Sequence, residues 1–218
     1  MQDAILFLPG KYTPQDLPYF SRLSRGRFKV AVDGGYRFFA ETNTTPDLLI
    51  GDFDSIKHKP TNLPRKTKVI EYPQDKDKTD THLALEYCLE RKAQKIDIVQ
   101  TTLGAPDHFL CNVQLLELAD RFGAKSYHPE VRIINRLSEI ALLIDGSREI
   151  RRAAGDTLSV IPLSESIELR CRGTAYDVDR LVVARGETIS ARNRVEAANA
   201  RIRVSGRALV IRLYRRAR

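Results

Sequence analysis

Several kinds of segment are missing from this 218-residue chain. No run is apolar over the roughly 20 residues that a membrane-spanning helix needs. The opening Met1-Gln2-Asp3 puts no basic segment ahead of a long apolar one, so no signal peptide is expected. No Gly-x-x-x-x-Gly-Lys-Ser/Thr occurs, which excludes a P-loop. Cysteine is scarce. Cys88, Cys111 and Cys171 form no C-x-x-C, so neither a zinc knuckle nor a redox pair is implied, and an odd count in buried-looking contexts fits a reducing cytoplasm. Lysine is absent from residues 137–218, whose 16 basic residues are all arginine against 10 acids; residues 1–136 carry 20 bases and 18 acids. A second half with that imbalance suits a nucleic acid, a phosphate-rich ligand or solubility alone. It lacks the aromatic residues interleaved with bases that mark a nucleic-acid groove.

What is present reads as a folded protein, 42% hydrophobic and 29% charged. The first half alternates strand and helix signals. Strands are expected at Ala4 to Leu8, Phe28 to Val32, Leu48 to Ile50, Val69 to Tyr72 and Ile96 to Gln100. Helices are expected up to Leu23, from Asp33-Gly34-Gly35 through Tyr36, Phe38 and Phe39, after Thr79 or Asp80, and from Asp107. Strand, glycine-bearing turn, helix and strand in succession make a parallel α/β unit. Leu85, Cys88 and Leu89 fall at helical spacing toward a core, as do Phe109, Leu110, Val113 and Leu116. The texture changes after Gly123. Ser126 to Ile134 reads as one or two strands, and beyond Arg136 no long helix is expected. Short apolar runs recur at Ile140 to Ile144, Leu158 to Pro162, Ile167 to Cys171, Leu181 to Ala184, Ala200 to Val204 and Ala208 to Leu213, parted by glycines or turn residues. That spacing predicts an all-β second domain, a sandwich or a partly closed barrel.

Chemistry concentrates where the expected strands end. Leu48-Leu49-Ile50 runs into Gly51-Asp52-Phe53-Asp54-Ser55, an apolar strand delivering paired acids to a crevice. On an extended backbone Asp52 and Asp54 share a side and can share a hard divalent cation such as magnesium. The alternative is a charged loop in which Asp54 or Ser55 caps a helix. A second cluster, Gln74-Asp75-Lys76-Asp77-Lys78-Thr79-Asp80, precedes a helix that Thr79 or Asp80 can cap. A third opens with Asp107, an N-cap candidate, and places His108 and Asn112 on one helical face.

Asp33-Gly34-Gly35, then Pro46-Asp47 leading into Gly51 to Ser55, then Lys76 to Asp80, then Asp107-His108-Phe109-Leu110-Cys111-Asn112, resemble in order and spacing the thiamine pyrophosphokinase family. The resemblance implies an N-terminal Rossmann-like parallel-sheet domain over residues 1–134 and an all-β sandwich domain over residues 135–218. It implies a cytoplasmic, ATP-dependent diphosphotransferase that uses Mg2+ and yields thiamine diphosphate and AMP. It also implies a homodimer with active sites between subunits. Carried over by motif, Asp52, Asp54, Asp80 and Asp107 are the catalytic acids, with Asp52, Asp54 and Asp80 as metal ligands. Asp33, Gly34, Gly51, Lys76, Asp77, Thr79, His108 and Asn112 lie on the nucleotide side. Gly155 to Pro162 resembles the family's strand that leads to its serine-leucine-isoleucine-proline segment, and Gly173-Thr174-Ala175-Tyr176 the segment that reaches the vitamin. Tyr176, Ser190 and Asn193 are the thiamine-side residues.

Two departures from the family pattern matter. The arginine usually found just before the Asp-His pair is missing, since Gly104-Ala105-Pro106 leads straight into Asp107. Either another base, Arg37 or an arginine of the second half, takes its place, or the phosphate contacts differ. Arg192 stands where a serine commonly precedes the asparagine. It can coexist with a cationic ligand if residues 192 and 193 alternate on a strand and Arg192 turns to solvent. A pyrophosphokinase for another hydroxymethyl compound, such as a pterin, is the alternative within this chemistry. A basic nucleic-acid-binding module is the alternative outside it.

Overall fold

The computed structural model describes residues 3–54, 56, 63–122 and 127–216. Ser55, Gly123 and Ser126, named above as a cap candidate, a boundary and a strand start, lie outside the described residues. The chain divides into two compact units, Met1–Asn135 and Arg136–Arg218.

The first unit is a parallel sheet with helices. Its strands are β1 (Ala4–Phe7), β2 (Phe28–Val32), β3 (Leu48–Gly51), β4 (Lys68–Glu71), β5 (Lys95–Val99) and β6 (Glu130–Ile134). They lie in the order β6-β5-β1-β2-β3-β4, every neighbouring pair parallel. The chain therefore runs outward from β1 to β4, then returns to lay β5 on the other side of β1. That reversal opens a crevice beyond the carboxyl ends of β1 and β5, where ligands of such sheets bind.

Burial explains the sheet. All four residues of β1 and of β3 are buried, as expected for strands covered on both faces. Phe7 stacks on Phe38 of α2 (Tyr36–Glu41) at 4.1 Å between ring centroids and meets Phe20 of α1 (Asp16–Leu23) edge-on at 6.4 Å. Truncating a phenylalanine in such a cluster costs about 3–5 kcal/mol. One acid sits inside this sheet: Asp97 of β5 is satisfied by Arg27 at 2.6 Å and by Arg132 at 2.8 Å. It pins strands and takes no part in the crevice.

Two further helices border the crevice. α3 (Asp80–Glu90) buries Leu85, Cys88 and Leu89, as their spacing requires. α4 (Pro106–Arg121) turns its core face differently from the expectation: Asn112, Leu115, Leu116 and Ala119 are buried, whereas Leu110 is exposed. The helix also begins one residue before Asp107, with proline in its first turn and Ala105 at the cap. No described helix is long and apolar enough to cross a membrane.

The second unit is antiparallel throughout: β7 (Ser138–Ile150), β8 (Thr157–Pro162), β9 (Ser166–Arg172), β10 (Val178–Ala184), β11 (Asn193–Arg194) and β12 (Ala200–Leu213). Two expectations fail here in the same way. Ala200 to Val204 and Ala208 to Leu213 are one strand, not two, and β7 likewise runs through Gly146. The turn residues Ser205-Gly206 make a bulge instead, where the register with β7 shifts between Val204 and Arg207. Gly206 has φ 103°, and a Cβ there would press on Ile167 and on the Ser166 carbonyl. Beyond the bulge β12 changes partners, pairing β9 through Arg201 to Ser205 and β8 through Ala208 to Leu213. A core of Ile150, Leu158, Val160, Ile167, Leu169, Val183, Ile202 and Val210, among others, fills the interior.

Candidate active site

The segments that follow β2, β3, β4 and β5 deliver the functional side chains of the first unit. β2 ends at Val32, and Asp33 follows in a single 3-10 turn (Asp33–Gly35) with a left-handed φ of 44°. Only glycine, or a residue held by its surroundings, sits comfortably there. β3 ends at Gly51, whose φ is 152° and whose missing Cβ would lie 2.9 Å from the Asp33 Cβ. Gly51 thus lets the ends of β2 and β3 approach until Asp33 and Asp52 face each other. Its contribution is close packing.

Asp33, Asp52 and Asp80 each offer a carboxylate oxygen within 4.8 Å of the others. Three acids that close repel one another unless a cation intervenes. Lys76 supplies one: its Nζ lies 2.6 Å from Asp52 Oδ2 and 3.3 Å from Asp80 Oδ1. The second contact has ion-pair distance but poor hydrogen-bond alignment. The hydrogen bond from Lys76, outweighing partial burial, holds Asp52 below the usual carboxylate range. Burial works against the Lys76 ammonium, but hydrogen bonds and charge from Asp52 and Asp80 raise its pKa overall. Asp80 is pushed up, first by burial and then by Asp52 and Asp33, with Lys76 offsetting part of the effect.

These groups line a cavity of about 600 Å3 that also holds Asp54, Asp77, Thr79, His108 and Asn112. Phe53 has φ 63°, so the backbone between Asp52 and Asp54 is not extended and the expected two-residue alternation does not apply. Asp54 sits exposed on the cavity wall, and Asp33 is the third member of the close group instead. Thr79 caps α3, its Oγ1 accepting the His82 N–H at 3.2 Å. Lys78 points along α3 to Glu86 at 2.7 Å. Asp107 is exposed and outside this lining; its Oδ1 accepts the His108 N–H at 2.8 Å, the work of a helix-start acid. Asn112 is buried and donates to Gln100 Oε1, while Gln100 Nε2 reaches the Leu103 carbonyl, both at 3.3 Å. Gln100 and Thr102 also line the cavity and were missed from sequence. Their signal was position: they directly follow β5 at the point where strand order reverses.

A second cavity of about 730 Å3 adjoins the first, sharing Pro9, Thr102 and Gly104 with it. Its other lining residues include Gly34, Lys11, Tyr36 and Arg37.

The remaining sequence-predicted residues, Tyr176, Ser190 and Asn193, gather in the second unit around a mainly apolar cavity of about 390 Å3 with Leu158, Val160 and Leu169. Ser190 is buried and donates to the Val160 carbonyl at 2.6 Å. Arg192 is exposed, though not by strand alternation. It precedes β11 with φ 59°, and its N–H donates to Ser159 Oγ at 2.9 Å. Of the cysteines, Cys88 and Cys171 are buried but Cys111 is exposed, against the expectation. Burial pushes the Cys88 thiol up to about 12.

Comparison with known proteins gives one consistent result. The profile described as "Thiamin pyrophosphokinase, catalytic domain" matches residues 20–127. Over 168 residues the chain is 31% identical to a thiamine pyrophosphokinase of Bacillus subtilis (strain 168), covering 75% of this chain and 76% of that one. Among solved structures, a thiamine pyrophosphokinase from Bacillus subtilis superposes with a TM-score of 0.80 at 24% identity, over 98% and 99% of the two chains. A thiamin pyrophosphokinase from Geobacillus thermodenitrificans does so with a TM-score of 0.77 at 27% identity, over 98% and 97%.

Proposed function

The chain belongs to the thiamine pyrophosphokinase family, and on that premise we propose how its residues divide the work. The reaction is transfer of the diphosphoryl group of ATP to the hydroxyl of thiamine. A bond forms between the thiamine oxygen and the β-phosphorus, the bond from that phosphorus to the α-phosphate oxygen breaks, AMP leaves with the electron pair, and the hydroxyl proton is released to solvent. No covalent enzyme intermediate is needed, so catalysis rests on alignment and electrostatics.

The observation that carries this reading is the trio Asp33, Asp52 and Asp80 at the carboxyl ends of a parallel sheet, with Lys76 between them. Three carboxylates are hard oxygen donors of the kind magnesium takes, and Lys76 stands where positive charge is called for. These three acids would hold the ion. When bound, it supplies charge neutralisation and polarisation of phosphoryl oxygens. Lys76 keeps Asp52 ionised and remains as a fixed positive charge for the phosphates. Gln100 and Asn112 hold the loop of residues 101–105 against the cavity.

Charge sorts the two substrates. Thiamine is a cation, which Lys11 and Arg37 repel; the α-phosphate of the leaving AMP is an anion, which they attract. The cavity carrying them therefore takes the nucleotide end of the donor, and its volume suits one. The mainly apolar cavity of the second unit, with the Tyr176 ring at its rim, suits the flat, cationic acceptor when Arg192, the one cation of its lining, turns its guanidinium to solvent. We take the first unit as a Rossmann-like catalytic domain and the second as a β-sandwich. The working assembly is a cytoplasmic homodimer in which the acids of one chain meet the Tyr176 cavity of the other.

Incubation with Mg2+ and ATP plus either thiamine or 6-hydroxymethyl-dihydropterin tests the reaction. Thiamine diphosphate with one AMP per product is expected. Product from the pterin alone overturns the acceptor, and ADP as coproduct overturns diphosphoryl transfer.

A further inference from the structure

Asn193 projects from β11 beside the apolar cavity, and every hydrogen of its amide is already used. Its Nδ2 donates to the Tyr176 carbonyl at 2.8 Å and to Thr174 Oγ1 at 3.0 Å, while its Oδ1 accepts the Tyr176 N–H at 3.1 Å. A side-chain amide has two donor hydrogens, so nothing is left to donate to a ligand. The segment it grips is fixed elsewhere too. Asp177 Oδ1 accepts the Thr174 N–H at 2.9 Å, the Ala175 N–H donates to the Arg194 carbonyl at 2.8 Å, and Thr174 bridges to Val195. Of the other polar residues of this wall, Ser190 spends its hydroxyl proton on the Val160 carbonyl, and Arg192 is exposed, with its backbone N–H donated to Ser159 Oγ. The Tyr176 side chain is the exception: the residue is 76% exposed although its backbone N–H and carbonyl are both held by one neighbour.

An aromatic ring that is exposed while its backbone is doubly tied is a presented ring. We propose that Asn193 is a positioning residue, a latch that fixes the backbone of Tyr176 so that its ring forms one wall of the acceptor cavity, and that Thr174 and Asp177 complete the latch. Recognition of the acceptor in this cavity then comes from the ring face and the apolar walls, not from hydrogen bonds donated by Asn193. This inference rests on the acceptor reading above, and its test separates the two.

A double-mutant cycle supplies the catalytic arm. Tyr176→Ala is expected to raise KM for thiamine about three- to thirtyfold, the range that a cation on an aromatic face commands, without a matching rise in KM for ATP. Asn193→Ala is expected to raise KM for thiamine by a smaller factor, because the ring remains but wanders. The double variant is expected to match Tyr176→Ala alone, since a latch has nothing to position once the ring is gone. Single effects that multiply in the double variant overturn the proposal, because Asn193 would then touch the acceptor itself. The second arm needs no substrate. The Tyr176 amide, donor to Asn193 Oδ1, should exchange with solvent faster in Asn193→Ala by about tenfold or more, the factor expected from losing a bond worth about 1.4 kcal/mol. Asn193→Asp, which keeps the acceptor oxygen but sets a second oxygen against the Tyr176 carbonyl, should lie between wild type and Asn193→Ala in protection and stands in if the alanine variant does not fold. Unchanged exchange in Asn193→Ala overturns the latch. Failure of the wild-type protein to use thiamine overturns the acceptor reading while leaving the exchange result to decide the latch.

Discussion

The two units handle polar side chains in opposite ways. In the first, carboxylates just after β2 and β3 and at the start of α3 come within 4.8 Å of one another on the wall of a cavity, an arrangement that the fold alone would not favour. In the second, three polar side chains at or beside the apolar cavity turn to backbone: Asn193 to residue 176, Ser190 to Val160, Asp177 to residue 174. The first pattern leaves charge available to a ligand. The second spends hydrogen bonds on shape. On the proposed division of substrates, charge recognises a polyphosphate with its cation, whereas a ring and a wall recognise a flat organic cation. The difference in side-chain use matches that division.

The comparison breaks if charges of the second unit prove catalytic, and the largest effect tests this. Arg212 and Asp156 are both buried, joined at 2.6 Å, with the guanidinium also serving the carbonyls of Arg151 and Arg152. Arg212→Ala strands a buried carboxylate. The expected loss is about 3–5 kcal/mol of stability, read by denaturant titration. Turnover per folded molecule should stay close to wild type; a variant of full stability and lost activity would end the contrast.

In the first unit the sign reverses. Asp52→Asn removes one carboxylate of the trio and the partner of Lys76. It should lower kcat/KM by about a hundred- to a thousandfold, the scale of losing one preorganised electrostatic contact. Stability should change by less than about 1 kcal/mol, because relief of the repulsion from Asp33 and Asp80 offsets loss of the partly buried pair with Lys76. Asp54→Asn should cost activity less, since Asp54 is exposed and outside the close trio. Equal losses at both positions would restore the paired-acid arrangement that the sequence suggests.

How legible this was from sequence depends on the element. The parallel strands were readable because each centres on a short apolar run, fully apolar in β1 and β3 and broken by single charged residues in the others. That Asp52 and Asp80 lie close was readable only as position after strands, and the membership of Asp33 needed the third dimension. It arises because Gly51 permits an approach between β2 and β3 that no local pattern encodes. The extended reading of Asp52 to Asp54 failed at Phe53, a bulky residue in a left-handed conformation that propensity does not anticipate. Ser205-Gly206 misled for a related reason: glycine after serine signals a turn, and the same freedom serves a bulge in a continuous strand. The roles of Ser190 and Asn193 were the least legible. A sequence names a hydrogen-bonding side chain but not the backbone group that has already claimed it.

The smallest expected effect follows from the same latch. The hydrogen bond from the Thr174 N–H, outweighing slight desolvation, holds the Asp177 carboxyl below the usual range. Its folded pKa is therefore lower than its unfolded value of about 3.9. The unfolded chain takes up the proton first as pH falls. The stabilisation from Asp177 is accordingly complete above the unfolded pKa and lost as pH drops through the folded one. Because the group is almost fully open to solvent, the effect is small, and its shape is more informative than its size. Unfolding midpoints of wild type and Asp177→Asn, followed from pH 7 to pH 2, should differ slightly above about pH 5 and converge at the acid end. The asparagine retains an acceptor for Thr174 but no charge, so the variant should lack only the pH-dependent part. Curves that stay parallel to the acid limit would show that Asp177 acts as a neutral acceptor and that charge has no structural use in this wall. Convergence accompanied by a rise in KM for thiamine over the same interval would connect the carboxylate, through residue 174, to the ring at position 176.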